Sequence, residues 1–176
     1  MSDKLSISGG DDDWVIFSKT VQSGNKLLFR SRTRSPAVQA FATGNQMMRV
    51  RCVLREDQVA ESGMPKSSKD VEDYEDRLID KLKEADAEVY LVAAVTGAGN
   101  RDLFFAARDL DDLRAAIKAA QTDVDTFKLE LAPIGDIPAY LKQLTLSDDQ
   151  LAKANFHGVP VERGGGGGFL GKLFGR

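Results

Sequence analysis

Ala94-Val-Thr-Gly-Ala-Gly-Asn-Arg-Asp-Leu-Phe-Phe-Ala-Ala-Arg-Asp-Leu110 reads as a strand, a glycine turn, a second strand and the opening of a helix. Glycines supply the positive φ that a tight hairpin turn requires. Upstream, Glu88 to Thr96 is a nearly continuous apolar run, the pattern of a strand central in a sheet. Downstream, Asp109 is placed to cap a helix whose apolar stripe is Leu110, Leu113, Ile117 and Ala120. Thr126 to Leu131 then reads as a further strand.

Working outward toward the N-terminus, Val71, Tyr74, Leu78, Leu82 and Ala85 recur at spacings of three and four and predict a helix capped by Ser68 or Asp70. Its first turns carry Glu72, Asp73, Glu75 and Asp76, and its last turns Lys81 and Lys83, as the helix dipole favours. A strand precedes it over Gln46–Arg55, where Met48, Val50, Cys52 and Leu54 alternate with Arg49, Arg51 and Arg55. The run from Gln46 to Leu131 is therefore β-α-β-β-α-β, and the expected fold is α+β with a ferredoxin-like core at about 46–132, two helices packed on one face of an antiparallel sheet. Trp14–Phe17 and Lys26–Arg30 flank Ser23-Gly24-Asn25 and predict an N-terminal hairpin that extends or covers that sheet. Pro36 and Gly44-Asn45 bracket a connector.

Two short helices follow the core, one from about Asp136 with Pro138 in its first turn. The other opens with Ser147-Asp-Asp-Gln150, a capping-box pattern. The chain divides into a disordered N-terminus (1–12), one α+β domain (13–160), a glycine linker (161–168) and an amphipathic tail (169–176).

Composition narrows the class. With 42% hydrophobic and 29% charged residues the chain has an ordinary globular balance, and no apolar run of bilayer length appears. The polar start, ending in Asp11, Asp12 and Asp13, lacks the apolar core of a signal peptide, so the expected location is cytoplasmic. Net charge is −3 but unevenly spread: Trp14 to Arg55 holds eight cationic residues and no acid. Arg30, Arg32 and Arg34 share a parity, as do Arg49, Arg51 and Arg55. If their strands are neighbours, six guanidinium groups form one basic sheet face suited to phosphates or a carboxylate-rich protein. The alternative is that the chain's own acids neutralise them. Single-stranded nucleic acid fits less well, because few aromatic stacking platforms lie nearby.

Catalytic chemistry finds little support. Cys52 is the one cysteine and His157 the one histidine. That excludes an internal disulfide, a His/Cys zinc set and an ordinarily spaced Cys-His pair. No metal or cofactor is expected. Cys52 reads as a buried, unreactive thiol and His157 as a helix-end residue. Asp70 to Asp76 reads as a solvated first turn, since successive helix positions point in different directions. The glycine turn opens a strand and lacks the P-loop lysine, so it reads as a structural hairpin. Thr96, Asn100, Arg101 and Asp102 still cluster there, as a candidate site for a small polar ligand or a partner backbone.

In the tail, Phe169, Leu170, Leu173 and Phe174 fall on one face of a short helix. Their burial releases about 6–12 kcal/mol gross, at 1.5–3 each. Gly171 and Gly175 oppose helix formation by about 1 kcal/mol each. The five-glycine linker gives a reach of about 12 Å. The tail is a frayed end, a docking peptide for a partner groove or its own domain, or a weak membrane contact.

Asp73-Tyr-Glu-Asp76 on the first helix, with Val95-Thr-Gly-Ala-Gly-Asn-Arg-Asp102 before a Phe-rich strand, resembles the bacterial domain of unknown function 695 over roughly Trp14 to Leu131. The resemblance implies kinship in fold with the regulator of RNase E activity B, which binds and inhibits an endoribonuclease. A regulatory binding module rather than an enzyme is thus implied. The chemistry of the residues themselves adds that it would engage an acidic partner through the arginine face, with the tail, which lies outside the resemblance, as second contact. The rival readings are an enzyme or small-ligand binder at Thr96–Asp102, and a weakly membrane-associated factor.

Overall fold

A computed structural model of the protein describes residues 14–150. The fold is α+β: six antiparallel strands form one sheet, and four helices pack against it. In chain order these are β1 (Val15–Thr20), β2 (Lys26–Ser31), α1 (Pro36–Gly44), β3 (Gln46–Val53), α2 (Lys69–Glu84), β4 (Val89–Gly97), β5 (Asn100–Ala107), α3 (Leu110–Ala120), β6 (Lys128–Pro133) and α4 (Ile137–Leu144). The strands lie in the order β1-β2-β4-β5-β3-β6. The apolar run in β4 is central, as its composition requires. The N-terminal hairpin extends the sheet by pairing β2 with β4.

The alternation in β3 sorts the core into two layers. Met48, Val50 and Cys52 meet α2 and α3 through Tyr74, Leu78, Leu82, Leu113 and Ile117. Met47 and, from β5, Phe104 and Ala106 meet the opposite layer, made by α1 and α4 through Val38, Ala42, Leu141 and Leu144. The two helices of the expected core, α2 and α3, share one face, and α1 and α4 cover the other. The segment read as a connector is helix α1. Ser35 caps it by accepting from the Val38 amide, and Pro36 takes a first-turn position where its missing N–H is harmless. Only Val38 and Ala42 are buried in it, too few for a periodic signal.

Other expectations need smaller adjustments. Ala85 is an exposed C-cap residue rather than part of the α2 stripe. The strand read at Thr126 to Leu131 is β6, two residues further on, an edge strand whose residues are all exposed or half-buried. The capping box is present: the Ser147 amide donates to Gln150 Oε1 at 3.0 Å, and the Gln150 amide to Ser147 Oγ at 3.2 Å. The first residues, His157, the glycine linker and the tail lie outside the described residues.

One expectation fails with consequences. Glu75, read as part of a solvated acidic turn, is 5% exposed. It lies four residues after Val71 and three before Leu78, on the apolar stripe of α2. Its carboxylate pairs with Arg101 of β5 and Arg30 of β2. Arg101 Nε donates to Oε2 at 3.1 Å, and its Nη1 donates to Thr96 Oγ1 at 3.0 Å. Burial alone would raise the Glu75 pKa, but the two guanidinium groups overcome it and hold the carboxyl at about 2.

The folded-state pKa of Glu75 is below the ordinary value of 4.5. Its contribution is therefore complete above that value and lost as pH falls toward about 2. Glu75→Gln should destabilise the protein by about 3–5 kcal/mol, because it strands a buried guanidinium. Chemical denaturation at pH 7 and pH 3 measures this, and the gap between wild type and variant should narrow at the lower pH. In the same core, burial pushes the Cys52 thiol up to about 12. Iodoacetamide at pH 8 should leave it unmodified in the native protein and alkylate it after denaturation.

Candidate functional site

The six arginines do not form one face. β2 and β3 are separated by β4 and β5, so they lie about 14 Å apart at ordinary strand spacing. They also point to opposite sides. Arg30 faces α2, where it reaches Glu75 and lies 4.9 Å from the Trp14 ring centroid. Arg49 and Arg51 alternate against Val50 and Cys52, and so occupy the α1/α4 side.

The regular alternation of Arg30, Arg32 and Arg34 is broken because β2 ends at Ser31. Arg32 is 1% exposed and its Nε donates to the Leu91 carbonyl at 2.8 Å. Arg34 turns toward the C-terminal end of the described chain, donating to the Leu146 carbonyl at 2.7 Å and to Asp148 at 2.6 Å. Arg55 lies past β3 at a 3-10 turn (Glu56–Gln58) and pairs with Asp57 at 3.2 Å. The chain's own acids and carbonyls thus engage most of the basic segment.

The glycine turn is equally inward. Gly97 has φ +145°, and a Cβ there would fall 2.8 Å from the Lys26 carbonyl oxygen, so the close approach of β2 demands glycine. Gly99 donates to the Gly63 carbonyl at 2.8 Å, which clasps the turn against the loop before α2. Thr96 and Arg101 are each 1% exposed and bonded to each other. The Asn100 side chain donates to the Ala98 carbonyl at 3.0 Å. Asp102 points to the other side of the sheet. These four residues are close in sequence, yet they serve two different faces.

Asp102 and Arg51 pair on the α1/α4 side of the sheet. The Arg51 Nε and Nη2 donate to the two Asp102 oxygens at 2.7 and 2.8 Å, a bidentate pair across β3 and β5. That hydrogen bond raises the Arg51 pKa against the opposing effect of partial burial. Arg49, two residues along the same face, has no ion pair among the described residues. Its Nε is buried without a hydrogen-bond partner. Around it this half of the sheet is only partly covered: Val53, Val95 and Ala132 are half-buried and Lys128 and Glu130 exposed, while Val50, Cys52 and Leu103 behind them are fully buried.

Sequence reasoning missed Glu75 and the singular state of Arg49. Glu75 had a signal in its spacing to Val71 and Leu78. Arg49 had none, because its partner depended on which strands became neighbours. Among the described residues, no three His, Cys, Asp or Glu side chains are grouped to hold a metal ion, and no helix is long and apolar enough to cross a membrane.

A family model described as a family of unknown function, DUF695, matches residues 12–136. No curated protein and no solved structure matches the chain. The matched span includes the whole sheet, the buried Glu75 pair and the Thr96–Asp102 turn. With over two thirds of its length matched, the chain belongs to the DUF695 family of unknown function.

Proposed function

We propose that the protein is a non-enzymatic binding or regulatory module that engages an acidic protein partner through the partly covered half of the sheet, centred on Arg49 and Arg51. The supporting observation is the state of Arg49: a half-buried guanidinium with no ion pair among the described residues and a buried Nε without a hydrogen-bond partner. An unsatisfied buried donor costs about 1–3 kcal/mol. A partner carboxylate arriving at this face would add a charge-assisted bond to the rest of the guanidinium, which offsets that cost. The neighbouring Arg51 is already held by Asp102, so it contributes a rigid rim rather than a free charge.

The basic face is therefore smaller than the sequence suggested: of the six arginines, one is without an ion pair or hydrogen bond among the described residues. A regulatory role is what the family resemblance implies, and fold by itself does not assign it. The tail Phe169–Phe174 would add a second contact that raises affinity through effective concentration. The alternative of a ligand or catalytic site at Thr96–Asp102 has less support, because Thr96 and Arg101 are spent on each other and on Glu75.

Capture from lysate with the full chain tests this reading. A defined set of proteins should survive nuclease treatment and be lost with Arg49→Glu, whose circular dichroism should match wild type. Arg55→Glu, at the exposed turn past β3, should leave the set intact. Capture that disappears with nuclease would place nucleic acid at this face instead. Capture indifferent to Arg49→Glu would end the proposal.

A further inference from the structure

A second feature lies away from the sheet face, where an open groove of about 680 Å³ separates α1 from α4. That volume is within the range of small-molecule sites. Pro138 and Leu141 of α4 give it an apolar wall, and Gln39 and Thr43 of α1 face them. Two ammonium groups line it: Lys19 from β1 and Lys142 from α4.

Lys19 is positioned before any ligand arrives. Its Nζ lies 5.3 and 5.1 Å from the ring centroids of Phe17 and Phe29, which stack on each other at 4.9 Å. It donates to the Gln143 carbonyl at 3.0 Å, in the last turn of α4. Capping that helix end accounts for this one bond. An ammonium has three donors, and the Gln143 carbonyl is the one hydrogen-bond acceptor it meets among the described residues. Partial burial lowers its pKa, with no carboxylate acting against that shift. Lys142 is exposed and makes no hydrogen bond or ion pair among the described residues. Two unneutralised cations beside an apolar wall are complementary to an anionic head on an apolar body. The chain's own Phe169–Arg176 segment is a poor occupant, since Lys172 and Arg176 carry the same sign of charge.

We propose that the groove between α1 and α4 binds a small organic anion, its carboxylate or phosphate held by Lys19 and Lys142 and its apolar body lying on Leu141 and Pro138. The site is independent of the Arg49 face. Pre-placement of Lys19 by two rings and a carbonyl means that little side-chain freedom is lost on binding.

Isothermal titration of the full chain with hexanoate and with hexyl phosphate tests this, with hexanol and inorganic phosphate as controls. At least one of the two amphiphilic anions should bind, and the tighter one identifies the head group. Hexanol should bind about tenfold more weakly or worse, and Lys19→Gln and Lys142→Gln should each weaken the preferred probe by about tenfold. Because Lys142 is exposed, its variant decides the matter even if Lys19→Gln loses stability. Equal binding of hexanol, equal binding of bare phosphate, or unchanged affinity in Lys142→Gln would each overturn the proposal. So would the absence of binding by both anions, including the case in which another segment of the chain already fills the groove.

Discussion

The Glu75 carboxylate is the constraint around which the sheet and its first helix layer are organised. It is carried by α2, yet its two partners come from β2 and β5, the strands that flank central β4. One side chain thus ties the helix to the strands on either flank of β4, all on one face of the sheet. A buried ion pair is not a net stabiliser by default, since removing charges from water opposes the attraction between them. The geometry here limits that penalty. Arg101 is fully enclosed and bonded to Glu75 and Thr96. Arg30, which carries the surplus positive charge, is 23% exposed and lies over the Trp14 ring, where water and the π face both lower the energy of a cation.

That same arrangement explains why the basic segment is not a basic surface. Between Trp14 and Arg55 the chain carries no acid, so every counter-ion for its arginines must come from elsewhere in the fold. Glu75, Asp102 and Asp148 provide three of them across sequence separations of 45, 51 and 114 residues. Charge segregation along the chain therefore becomes charge pairing in space. It helps to set which elements meet, and it leaves Arg49 and the two groove lysines as conspicuous exceptions on the α1/α4 side.

The two layers differ accordingly. The α2/α3 side is closed, with an apolar core and the Glu75 pair inside it. The α1/α4 side is made of two short helices and leaves both a partly covered stretch of sheet and a groove. Both proposed sites fall on the layer that is less completely packed. The α+β scaffold constrains where such a surface can form and not what it recognises.

The sequence by itself determined the element order from Gln46 to Leu131, the inward face of β3, the cap at Asp109 and the capping box at Ser147. Each is a local matter of side-chain period or of a side chain reaching its own backbone. Helix α1 was hidden because two buried residues, Val38 and Ala42, make no periodic signal. The position of Glu75 was legible in its spacing, but its acidic neighbours masked it. Tertiary structure alone decided that β4 and β5 separate the arginine strands and that Arg30 and Arg51 face opposite ways. It also decided that Thr96 and Arg101 turn inward while Asp102 turns out. Strand order and side-chain pairing are set by contacts between residues tens of positions apart, and no local pattern encodes which of those contacts will form.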